Sequence, residues 1–81
     1  MGRTRVYEGA DGVALALTEA TPDAVDAWLS DGRHRLTRAP TASGARYTDG
    51  QVSVWNKGAE LLLERDDRSW RCIEQQPAAP R

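Results

Sequence analysis

Ser43 and Lys57 are the residues of this 81-residue chain whose types and spacing could do chemistry together. They lie in TASGARYTDGQVSVWNKGAE, residues 41–60, which holds a Ser-Gly corner, an Asp-Gly turn and a Trp-Asn-Lys-Gly turn. A serine beside a lysine has three possible uses. In a hydrolytic dyad, a desolvated lysine activates the serine, which needs a buried ammonium and an oxyanion hole. In an ordinary turn, the lysine is solvated and the serine orders its own loop. At a recognition tip, hydroxyl and cation together enter a partner's acidic cleft. A lysine next to a turn glycine is a solvated one, which speaks against the dyad.

The other reactive residue types are sparse. Cys72 is the lone cysteine, so no disulfide can form within the chain. In SWRCIE it alternates with Trp70, which predicts an inward-facing thiol, buried and inert, the alternative being a thiol that pairs between molecules or reacts. His34, between Arg33 and Arg35, reads as a surface residue, and no cluster of His, Cys or carboxylates completes a metal site. Neither a metal nor a cofactor is expected.

Short runs of period two separated by turn signals must position these residues, and they read as all-β. GVALALT alternates Val13, Leu15 and Leu17 against alanines. DAVDAWLSDGRHRL gives two runs joined at Ser30-Asp31-Gly32, and AELLLERDDRSWRCI turns around Asp66-Asp67. With a weak opening strand near Arg3 to Tyr7, the count reaches about eight, the number of a small closed antiparallel barrel. Thr21-Pro22-Asp23 also has the form of a helix N-terminus, although Asp31-Gly32 follows too soon for more than a turn. The barrel domain is expected over residues 1–74, with 75–81 a frayed tail.

The central hairpin sets the Ser43–Lys57 relationship. With Asp49-Gly50 as a two-residue loop, Thr48 faces Gln51, Tyr47 faces Val52, and Arg46 faces Ser53. Ser43 then lies opposite Asn56, one position from Lys57; a four-residue loop or a bulge would shift this register by one. Alternation puts Ser43 on the face of Tyr47 and Val54, and Lys57 on the face of Trp55. Both sit beside glycines, Gly44 and Gly58, where the backbone can take positive φ. Tyr47 reads as a core residue whose hydroxyl braces the Ser43 loop. Trp55 is either outer-face packing or an interface anchor. Arg46 is a solvated strand residue.

ASGARYTDGQVSVWNKGAELLLE followed by WRC resembles the bacterial inhibitors of C-type lysozyme, the MliC/PliC family. The shared pattern runs Ser-Gly-x-x-Tyr, an acidic-glycine turn, Trp-x-Lys-Gly, an acidic-Leu strand and an aromatic-x-Cys strand. The likeness is close from Ala42 to Cys72 and looser before it. It implies an eight-stranded antiparallel barrel and a proteinaceous inhibitor with no enzymatic activity. It also implies that Ser43 and Lys57 enter the lysozyme cleft and contact its two catalytic carboxylates, with Gly44, Arg46, Tyr47, Trp55 and Gly58 supporting the loops. The implied partner is C-type lysozyme, the host muramidase. The implied location is periplasmic or outer-membrane associated, as for a lipoprotein. One departure stands out. Family members commonly tie the first strand to the last by a disulfide, and RVYEGADG supplies no partner for Cys72. The alternative reading is therefore a barrel adaptor that binds another protein or a cell-wall fragment without inhibiting lysozyme.

Bulk properties bound both readings. One small domain is expected, and twelve of its apolar residues are alanine, so large core side chains are scarce. A net charge of −1, from eleven basic and twelve acidic residues, argues against nucleic-acid binding. No apolar run reaches the roughly 18 residues of a membrane span, and MGRTRVYEG lacks the apolar region of a secretory signal. A cytosolic chain or one trimmed to its mature domain is expected, with membrane association only through a lipid anchor that this sequence does not carry.

Overall fold

Alternating side chains wrap into a tube when every strand finds two neighbours, and this chain does so. The structure, a computed structural model, describes residues 4–75. β1 (Thr4–Gly9) leads through a single 3-10 turn (Ala10–Gly12) into β2 (Ala14–Thr21), β3 (Ala24–Leu29) and β4 (Gly32–Ala39). β5 (Ala45–Thr48), β6 (Val52–Lys57), β7 (Glu60–Arg65) and β8 (Arg68–Gln75) complete the set. Each strand pairs antiparallel with the next, and β8 closes on β1. The result is a closed eight-stranded antiparallel barrel with no free edge among the described residues.

The period-two pattern decides what lies inside. Tyr7, Leu15, Leu17, Val25, Ala27, Leu36, Val52, Val54, Leu61, Leu63 and Cys72 form one buried cluster drawn from seven of the strands. Tyr47 and Trp70 pack against it from the two ends. Cys72 is fully buried, as its alternation with Trp70 predicts, and desolvation pushes its thiol pKa up.

Three expectations about where elements begin and end need adjusting. Thr21-Pro22-Asp23 starts no helix. The Asp23 amide donates to Thr21 Oγ1 at 3.2 Å, closing a turn from which β3 begins at Ala24. The opening strand reaches Gly9 rather than stopping at Tyr7, because Glu8 and Gly9 pair with Ile73 and Cys72 of β8. Gln75 belongs to β8, opposite Val6, and not to the tail; Met1–Arg3 and residues 76–81 lie outside the described residues.

The connections alternate between two rims. The β2–β3, β4–β5 and β6–β7 loops share one rim with the start of β1 and the end of β8. The β1–β2, β3–β4, β5–β6 and β7–β8 connections share the other. At the second rim Asp31 accepts a hydrogen bond from Arg65 at 2.5 Å and pairs with His34 at 2.9 Å, linking the β3–β4 turn to β7. His34 is thus half-buried and engaged, not a bare surface residue.

Candidate functional site

β5 and β6 build the site, and their register is set by one carboxylate. Asp49 Oδ1 accepts from the amides of Gln51 at 2.8 Å and Val52 at 2.7 Å, so the connection holds four residues instead of two. Asp49 titrates below the usual carboxylate range because those two amides favour its charged form. Thr48 therefore faces Ser53, Tyr47 faces Val54, Arg46 faces Trp55 and Ala45 faces Asn56. Each β5 residue meets a partner two positions further along β6 than a two-residue loop would give, a shift of two rather than the one expected, because the loop gains two residues. A shift of two leaves every side chain on its expected face. Continuing the register brings Lys57 level with Gly44 and Ser43 level with Gly58.

Gly44 makes this approach possible. Its φ is +70°, and a Cβ there would stand 2.5 Å from the Asn56 carbonyl oxygen and 3.2 Å from Lys57 Cγ. Glycine is required twice over, by conformation and by space. Ser43 beside it is exposed, and its carbonyl is held from two sides, by Thr41 Oγ1 at 3.1 Å and by Trp55 Nε1 at 2.9 Å. Among the described residues no hydrogen bond engages the Ser43 hydroxyl.

Lys57 ends β6 on the same rim, exposed, before Gly58 turns the chain with φ +67°. Its ammonium stands 4.1 Å from the centroid of the Trp55 ring. Such a contact contributes about 0.5–1 kcal/mol at an exposed site. The ion pairs among the described residues join Asp26 to Arg35, Asp31 to His34 and Arg65, and Arg65 to Asp66; none uses Lys57. The cation is thus ordered without being neutralised. It is not desolvated as a Ser-Lys dyad requires.

The supporting residues fall into place around this tip. Trp55 is half-buried on the outer face and supplies the brace on the Ser43 loop. Tyr47, expected to supply it, instead lines a cavity of about 220 Å³ in the barrel mouth with Arg5, Tyr7, Glu19 and Asn56. Arg46 is half-buried beside Trp55, its guanidinium reaching Ser53 Oγ at 3.5 Å. The sequence alone does not single out Asn56. Its Nδ2 donates to the buried Tyr7 hydroxyl at 2.8 Å, anchoring the end of β6 to β1 next to Lys57. Its inward parity within VSVWNK was the available signal, but its partner is 49 residues away. Among the described residues no group of His, Cys, Asp and Glu is placed to hold a metal ion.

On adjacent loops of one rim, the small closed β-barrel thus presents a cation with no ion-pair partner and a hydroxyl with no hydrogen-bond partner among the described residues. The chain belongs to the MliC family, the membrane-bound lysozyme-inhibitor of c-type lysozyme, whose pattern matches residues 8–72. That is a family of inhibitors, not of enzymes. No curated protein and no solved structure matches the chain at a significant level.

Proposed function

We propose that this protein inhibits c-type lysozyme by inserting the Ser43 loop and Lys57 into the enzyme's active-site cleft. The observation that carries the proposal is the shared rim. An exposed ammonium with no ion-pair partner among the described residues lies beside a serine whose hydroxyl is uncommitted. A retaining glycosidase holds two carboxyls about 5–5.5 Å apart at its cleft floor. An ammonium offers three donors and a positive charge to that pair, on a stem long enough to reach while the barrel stays outside. The Ser43 hydroxyl donates to, or accepts from, the nearer carboxyl. Inhibition is by occupancy, and the barrel performs no chemistry.

The family's description as membrane-bound supports a periplasmic or outer-membrane site of action, where the inhibitor would shield the cell wall from host muramidase. No helix among the described residues is long and apolar enough to cross a membrane. A turbidity assay of lysozyme on cell-wall substrate, with and without this protein, tests the proposal. Stoichiometric loss of muramidase activity is expected. Undiminished activity at micromolar protein would instead favour the barrel adaptor that binds another protein or a cell-wall fragment.

A further inference from the structure

We propose that Trp55 is the positioning residue that joins the Ser43 loop and Lys57 into one preformed probe. The inference rests on the inhibitory reading above and deepens it. One side chain makes both connections. The indole Nε1 donates to the Ser43 carbonyl at 2.9 Å, and the face of the same ring holds the Lys57 ammonium at 4.1 Å. Gly44 is threaded between them, where a Cβ would stand 3.2 Å from both Trp55 Nε1 and Lys57 Cγ. Trp55 itself is fixed in the β6 ladder, opposite Arg46 on one side and Leu62 on the other.

The choice of an aromatic ring has a physical reason. A carboxylate would hold Lys57 more firmly, but it would consume the charge and the N–H donors that an acidic cleft needs. A π face attracts the cation through its quadrupole without neutralising it, so the N–H groups turned away from the ring stay available to a partner. The ring thus restricts a flexible four-carbon stem before the partner arrives, and ordering done in advance is not charged against affinity. The hydrogen bond does the same for the Ser43 loop. The two halves of the probe are therefore coupled through Trp55, and their contributions to binding are not independent.

NMR of the free protein and titration against a hen-type lysozyme test this together. In wild type the ε-methylene protons of Lys57 are shifted upfield by the indole ring current. Trp55→Leu abolishes that shift. Trp55→Phe keeps it while freeing the Ser43 loop, seen as faster amide exchange there. On lysozyme, Trp55→Leu binds about tenfold or more weakly, and Trp55→Leu/Lys57→Ala loses less than the sum of the two single losses, because the Lys57 contact can be lost only once. Unshifted Lys57 methylenes in the free wild type overturn the clamp, whatever lysozyme does. Strictly additive losses in the double variant overturn the coupling. A ring-current shift in a wild type that binds no lysozyme would sink the inhibitory reading and uphold the clamp. Retention of the native amide spectrum in Trp55→Phe controls for folding.

Discussion

Gly9 and Cys72 face each other directly across the seam where β1 meets β8, and nothing larger than a hydrogen fits on Gly9. A Cβ there would lie 2.8 Å from Cys72 Sγ and 2.8 Å from the Arg71 carbonyl oxygen. The backbone of Gly9 is extended, with φ −128°, so conformation alone does not demand glycine. Close approach demands it. Gly9→Ala should destabilise the barrel by about 1–3 kcal/mol, the usual cost of overpacking, measured by chemical denaturation. Unchanged stability would mean that the seam opens without cost.

The same contact is a place where a disulfide between β1 and β8 could be built. Gly9→Cys should present its sulfur to Cys72, so that oxidation removes both thiols from titration without a dimer forming. The oxidised variant should exceed its own reduced form in stability by about 2–4 kcal/mol. In wild type the buried thiol, with its pKa raised by desolvation, should react with thiol reagents only after unfolding.

Two glycines flank the probe, and they should respond differently to alanine. Gly44 has positive φ and would drive a Cβ to 2.5 Å from the Asn56 carbonyl, whereas Gly58 has positive φ with open space around it. Gly58→Ala should cost about 1–2 kcal/mol, the left-handed backbone penalty alone. Gly44→Ala should cost more and should also displace the Ser43 loop. Equal costs in thermal or denaturant unfolding would contradict this ordering.

If Lys57 meets paired carboxylates in the cleft, Lys57→Ala should weaken binding to c-type lysozyme by about 2–5 kcal/mol. Calorimetric titration measures it directly. Affinity retained in that variant would remove Lys57 from the interface while leaving its place in the fold untouched.

Much of the architecture is legible in the sequence. Leu15 and Leu17, Leu61 and Leu63, and Trp70 and Cys72 alternate, and each pair does turn inward. Two-residue turns at Ser30-Asp31 and Asp66-Asp67 lie where the pattern breaks, the latter with both aspartates at positive φ. Asp49-Gly50 misleads because the dipeptide is consistent with both loop lengths. The choice is made by the Asp49 carboxylate, which captures the Val52 amide and removes Val52 from the pairing with Tyr47. Ser43 and Lys57 reach the same rim in either register. The Trp55 brace and the Asn56–Tyr7 hydrogen bond were not legible in the same way. Each depends on how a loop or a distant strand lies over the hairpin, which no local pattern encodes.

The opposite rim should carry an acid-sensitive latch. Arg65, and then His34, hold the Asp31 carboxyl well below its usual range. A group with a depressed folded pKa stabilises the fold above its unfolded value and loses that contribution as pH falls toward the folded one. Asp31→Asn should therefore be less stable than wild type at neutral pH, with the gap closing as pH drops below about 4. Parallel stability profiles down to strongly acidic pH would show that the Asp31–Arg65 link does not count.

An even number of up-and-down strands returns the chain to the rim it left. The beginning of β1 and the end of β8 therefore emerge beside Ser43 and Lys57, while Asp66 and Asp67 are a barrel's length away. A fluorophore, affinity handle or sensor chip coupled near Thr4 or Gln75 would crowd the very loops whose binding it was meant to report. Coupling through the β7–β8 turn would leave them facing open solution.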